Sequence, residues 1–96
     1  MHVISYKAIR EYRTIWPDAG PPLDNWYRVA VNCKWSNFAE IKQVFGSADW
    51  VSPCVVFNIA GNKYRLIAEI NFRNQTLFIR HILTHRAYSE GKWKKP

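Results

Sequence analysis

Apolar residues recur every three or four positions along the first half of this chain and every two along the second. Met1 to Ile4 fits a short opening strand. Residues 6–16 then read as a helix, with Ser5 at its N-cap and Ile9, Tyr12 and Trp16 at helical spacing. Pro17, Gly20, Pro21 and Pro22 interrupt it. A second helix is predicted from about Pro22, carried by the stripe Leu23, Trp26, Tyr27, Ala30 and Val31. A third is predicted from Ser36 or Asn37. Glu40 stands three residues after Asn37 in a capping arrangement, Phe38, Ile41, Val44 and Phe45 form the apolar face, and Gly46 and Ser47 stop the helix. The period then shortens. Val55 to Ile59 is rich in strand formers, Gly61-Asn62 is a turn, and Tyr64 to Phe72 alternates. Arg73-Asn74-Gln75 is a second turn, and Thr76 to Thr84 is a further strand with Leu77, Ile79, His81 and Leu83 on one face. That grouping makes His81 a core histidine.

Runs joined by turns this short pair as antiparallel neighbours. The predicted fold is therefore α+β: a short N-terminal strand, two to three helices and a three-stranded antiparallel meander, with the helices on one face of the sheet. The 96 residues fit a single domain, 1–96, in which 89–96 is expected to be a mobile basic tail. So small a domain has little core to spare, and the fifteen aromatic residues compensate. No apolar run is long enough to span a membrane, and the opening residues lack the apolar stretch of a secretory signal, so a cytoplasmic protein is expected. Cys33 and Cys54 lack the close spacing of zinc or redox pairs and read as reduced, packed thiols.

Charge changes the picture. Residues 1–59 hold six Lys/Arg against five acids, whereas residues 60–96 hold eight against two. Nearly all of the net +7 thus lies in the last two fifths of the chain, a distribution that points to a polyanion surface. Alternation places Arg65 and Arg80 on the open face of the meander, with Asn58 from its first strand, Lys63 at the turn and His85 and Tyr88 where the last strand ends. Guanidiniums bind phosphate with paired hydrogen bonds, and imidazole exchanges protons near neutrality. No cluster of carboxylates or Cys/His ligands suggests a metal or other cofactor. RNA cleavage suits such a set because the substrate's own 2′-hydroxyl is the nucleophile.

The stretches His2-Val3-Ile4-Ser5, Lys7-Ala8-Ile9-Arg10-Glu11, Pro22-Leu23, Trp26-Tyr27 and Trp35-Ser36-Asn37-Phe38 open a longer series. It continues with Val55 to Leu66, Phe78-Ile79-Arg80 and Thr84-His85-Arg86-Ala87-Tyr88. In this order and over nearly the whole chain, the sequence resembles the HigB toxins of the RelE/ParE superfamily. The resemblance implies an endoribonuclease that cuts mRNA on the translating ribosome and is neutralised by a HigA-like helix-turn-helix antitoxin. It implies Arg65, Arg80, His85 and Tyr88 as active-site residues, supported by Lys63 and Asn58, with the identity of the general base open. Arg73, Arg86, Lys92, Lys94 and Lys95 are then expected to contact RNA or the ribosome. Two other readings stay open. One is a non-enzymatic inhibitor of DNA gyrase, as in the ParE branch. The other is an inactive RNA-binding domain in which Trp93, among lysines, stacks on bases.

Overall fold

The computed structural model describes residues 1–94. Its elements are β1 (His2–Ile4), α1 (Tyr6–Ile15), α2 (Gly20–Asn32), α3 (Phe38–Val44), β2 (Asp49–Val51), β3 (Cys54–Ile59), β4 (Tyr64–Asn71), β5 (Thr76–Thr84) and α4 (His85–Glu90). The fold is α+β, as the periodicities require. Ser5 occupies the N-cap of α1 but makes no capping bond through its side chain, whereas the Asn37 side chain accepts from the Glu40 amide at 3.0 Å. α2 begins two residues before Pro22, because a 3-10 turn at Pro17–Ala19 runs directly into it and both prolines fall within its first turn.

The five strands lie in the order β1-β5-β4-β3-β2, with β1 parallel to β5 and the other pairs antiparallel. The short edge strand β2 was not legible as a strand; it pairs Asp49, Trp50 and Val51 with Val56, Val55 and Cys54. Helices α1 to α3 cover one face. Ile9, Leu23, Trp26, Ala30 and Ile41 from the helices bury against Val55, Phe57, Leu66, Ala68 and Leu77 from the sheet. The Trp26 and Phe45 rings each stand 5.3 Å from Phe57, edge to face. A polar clamp ties α1 to α2. Arg13 donates to Asp24 at 2.6 Å, and the Tyr6 hydroxyl donates to the same carboxylate at 2.5 Å.

The alternation predicted for β5 fails at one residue. Ile67 pairs with His81, but Ala68 pairs with Ile79, so Arg80 is the extra residue of a β-bulge. Beyond a bulge, every side chain changes face. Ile82 therefore packs into the main core opposite Leu66, while Leu83 turns to the other face opposite Arg65. His81 is consequently exposed on the open side, not a core histidine.

That second face is not bare. Cys54, Val56 and Ile67 form a smaller apolar layer, covered by Val51, Leu83, Tyr88 and Trp93. Part of the cover comes from the stretch 89–96 read as a tail: α4 runs from His85 into it as far as Glu90, and Lys92–Lys94 form a 3-10 turn. α4 starts because the Thr84 hydroxyl accepts from the Ala87 amide at 3.1 Å. It ends at Gly91, whose φ of +75° is the left-handed conformation glycine adopts freely. The turn brings Trp93 back over Tyr88, ring centroids 5.4 Å apart and 17° from parallel. No helix among the described residues is long and apolar enough to cross a membrane.

Candidate RNA-cleaving site

Arg65 is the centre of the candidate site. Strand pairing sets it between Asn58 of β3 and Leu83 of β5 on the open face, yet it is only 7% exposed. Its Nη1 donates to the carbonyls of Asn62 (3.2 Å) and Tyr64 (3.0 Å), and its Nη2 donates to the Asn62 side chain at 2.6 Å. The guanidinium carbon lies 5.6 Å from the centre of the Tyr88 ring. All of these partners are neutral: no carboxylate among the described residues forms an ion pair with Arg65. A buried cation is costly without a counter-charge, so its positive field stays strong.

His85 and Lys63 frame the same end of the sheet. The His85 amide donates to the Lys63 carbonyl at 2.9 Å, which fixes the first residue of α4 beside the β3–β4 turn, and the imidazole is exposed. The Lys63 ammonium is held 3.0 Å from Asp18, and the Tyr64 hydroxyl donates to the other oxygen of that carboxylate at 2.5 Å. The Tyr64 bond, then the Lys63 bond, hold Asp18 below the usual carboxylate range. The same bond to Asp18, reinforced by burial, pushes the Tyr64 phenol up to about 12. Asn62 and Asp18 escaped the sequence reading. The only signal for Asn62 was its place three residues before Arg65, and Asp18 is 45 residues from Lys63.

Arg80 does not join this group. Its Nε lies 3.1 Å from Glu69, its guanidinium carbon is 5.1 Å from the Phe78 ring centre, and it shares no hydrogen bond with Arg65, His85 or Tyr88. It lines a separate groove of about 680 Å³ with Val51, Cys54, Glu69, His81, Trp93 and Lys94. The Tyr88–Trp93 stack stands between the two, touching Arg65 on one side and walling the groove on the other. Burial, with Glu69 adding to it, raises the Cys54 thiol, which therefore serves as a neutral wall of the groove and not as a nucleophile.

Of the cations expected to bind RNA, Arg73, Arg86, Lys92 and Lys94 are exposed. Lys92 lies 3.7 Å from Glu90, and the Lys94 ammonium lies 5.7 Å over the Trp93 ring. Lys95 falls outside the described residues. No group of three or more potential metal-ligating side chains gathers among the described residues.

Comparison with known proteins agrees with this architecture. Residues 19–91, from the turn before α2 through α4, match the HigB toxin family, a RelE-like toxic component of a toxin–antitoxin system. The chain is similar to the mRNA interferase HigB of Escherichia coli O6:H1 strain CFT073, with 31% identity over 93 residues that cover 94% of this chain and 90% of that one. It is also similar to the mRNA interferase toxin HigB of Escherichia coli strain K12 and the mRNA interferase HigB of Shigella flexneri, each 29% identical over 91 residues, 92% of this chain and 88% of theirs. The chain belongs to the HigB toxin family.

Proposed function

We propose that this protein is the toxin of a toxin–antitoxin pair and an endoribonuclease that cleaves mRNA on the translating ribosome in the cytoplasm. The names of its relatives support the activity, and one observation carries its location. Arg65 is a buried guanidinium without a carboxylate partner among the described residues, held against Tyr88 beside His85. An RNA phosphate is the counter-charge that such a cation favours.

In this scheme the His85 imidazole takes the proton of the 2′-hydroxyl, and that oxygen attacks the adjacent phosphorus. Arg65 stabilises the charge that builds on the phosphorane oxygens. The Tyr88 phenol returns a proton to the leaving 5′-oxygen, leaving a 2′,3′-cyclic phosphate. Each proton transfer contributes roughly 10²–10⁴-fold, and the guanidinium contributes roughly 10²–10³-fold. Lys63, Asn58, Arg73, Arg86, Lys92, Lys94 and Lys95 steer and hold the RNA or the ribosome, with Arg80 acting at a neighbouring position on the strand. A HigA-like helix-turn-helix antitoxin is the proposed neutralising partner, and a small gene of that kind beside this one would support the pairing.

The test is to map mRNA 5′ ends after brief expression of the wild type, His85→Ala and Arg65→Lys, with circular dichroism to confirm folding. New ends with wild type only are expected. Full toxicity in both folded variants overturns the residue assignment. Inhibited supercoiling without new ends overturns the nuclease reading in favour of a gyrase inhibitor.

A further inference from the structure

Two of the three hydrogen bonds that hold the Arg65 guanidinium end on one residue, Asn62. The Asn62 main-chain carbonyl accepts from Nη1 at 3.2 Å, and its side-chain Oδ1 accepts from Nη2 at 2.6 Å. The β3–β4 turn makes this reach possible. Ala60 and Gly61 have φ of +55° and +65°, and the Lys63 amide donates to the Ala60 carbonyl at 3.3 Å, so the chain doubles back just where Asn62 stands. Asn62 thus grips the guanidinium by both Nη atoms. Of the five N–H donors of an arginine, Nη1 uses two here and Nη2 one. The Nε donor and one Nη2 donor have no partner among the described residues. They share one edge of the guanidinium, the edge that can meet two phosphate oxygens side by side.

We propose that Asn62 is the positioning residue of the cleavage reaction. It turns the Nε–Nη2 edge of Arg65 toward the scissile phosphate and, being neutral, leaves the charge of that edge unspent. This rests on the reading of the protein as an RNA-cleaving toxin. The choice of residue type carries the argument. An aspartate at this position has the same shape and would hold the guanidinium more firmly, because a charged acceptor makes the stronger bond. It would also give Arg65 its missing counter-charge and weaken the field offered to a phosphate. The amide does the holding without the quenching. Because Oδ1 is the atom that accepts from Nη2, the Asn62 Nδ2 is directed away from Arg65, and it has no hydrogen bond among the described residues. In an aspartate that donor would be a second negative oxygen beside the substrate. Asn62 is itself exposed, so its replacement leaves the core untouched.

Two substitutions separate direction from charge. Asn62→Asp should keep or raise the melting temperature and yet lower kcat/KM for mRNA on programmed ribosomes by roughly 10²–10³-fold, the loss expected when one charged donor is withdrawn from the transition state. Its affinity for an oligonucleotide blocked with 2′-O-methyl groups should fall, and the slope of log affinity against log salt should flatten by about 0.7 as one phosphate contact goes. Asn62→Ala keeps the charge but frees its direction. It should lower kcat by roughly 10²-fold, as a misplacement of about 1 Å does, with KM and the salt slope little changed. A residue needed only for folding would lose activity in step with the melting temperature. An Asn62→Asp protein that cleaves and binds like the wild type overturns the proposal. So does an Asn62→Ala protein with unchanged kcat. The wild type supplies a check that needs no variant: the NMR signal of the Arg65 Nε proton should shift when the blocked oligonucleotide is added, and a signal that stays in place overturns the assignment of that edge. The two readings fail separately. An active wild type with an equally active Asn62→Asp removes the role of Asn62 alone. A wild type that makes no new mRNA ends, with the salt slope still flattened in Asn62→Asp, removes the nuclease reading alone.

Discussion

At the scale of single residues, the role proposed for Arg65 rests on a cation that the fold holds at a cost in desolvation. Its guanidinium is 7% exposed and compensated only by two carbonyls, one amide side chain and an aromatic face. Replacing the guanidinium with an apolar side chain removes a desolvated charge but leaves the Asn62 and Tyr64 acceptors without their donor, and the two effects oppose each other. Arg65→Met is therefore expected to change the melting temperature little while abolishing mRNA cleavage; a large fall in melting temperature would show that the cation is structural. The packing of Tyr88 and the proton transfer proposed for it can be separated in the same way. Tyr88→Phe keeps the ring that meets Arg65 and Trp93 and removes only the hydroxyl. The expected result is an unchanged melting curve with cleavage down roughly 10²–10⁴-fold, the loss of one proton transfer. Unchanged cleavage would reduce Tyr88 to a platform. The sequence pattern put Arg65 on the correct face, because strand alternation up to Ile67 is regular. It did not show that Arg65 is buried, because its cover comes from α4, and no local period reports what a later helix folds over.

The elements show why prediction stopped where it did. Helices α1 to α3 were legible because each buries one face, which forces a period on the sequence, and strands β3 to β5 because strand-forming runs are bounded by turn residues. Two features carry no such period. A bulge adds one residue and inverts the pattern, so Leu77-x-Ile79-x-His81-x-Leu83 looks like one face and is two. α4 has six residues and covers only a small apolar layer, so its signal was too short to see. Its boundaries nevertheless rest on chemistry that can be tested. Gly91→Ala forces a side chain into φ +75°, at a cost of roughly 1–2 kcal/mol, and displaces Trp93 from Tyr88. A lower melting temperature and a changed near-ultraviolet circular dichroism band from the stack are expected. The α1–α2 clamp makes a pH prediction. The Tyr6 hydroxyl, then Arg13, hold Asp24 below its ordinary value. A carboxyl depressed in the folded state contributes stability above its unfolded pKa and loses it as pH falls through the folded value. Thermal stability should therefore decline as pH drops below about 4, and less steeply in Asp24→Asn. Parallel curves for the two proteins would remove the clamp from the account.

Over the whole molecule, the excess charge of residues 60–96 is sorted by its partners. Lys63, Arg80 and Lys92 each have a carboxylate within 4 Å, namely Asp18, Glu69 and Glu90. An exposed ion pair contributes little to stability, but it lowers the field a cation offers to a phosphate. Asp18 is the instructive case, because it lies outside the basic half and holds the Lys63 ammonium at 3.0 Å. Asp18→Asn keeps an acceptor for the Tyr64 hydroxyl and releases the ammonium. RNA binding should then tighten at low salt, the reverse of what loss of a native contact usually does. If Lys63 gains one phosphate, the slope of log affinity against log salt should steepen by about 0.7 for a single strand. The probe is a 2′-O-methyl oligonucleotide, which has no free 2′-hydroxyl and so reports binding without cleavage. The same substitution made on a Lys63→Ala background decides between a local and a global cause. If the gain passes through Lys63 it disappears there; if it survives, removing one negative charge from the surface is sufficient and Asp18 holds no particular cation in check.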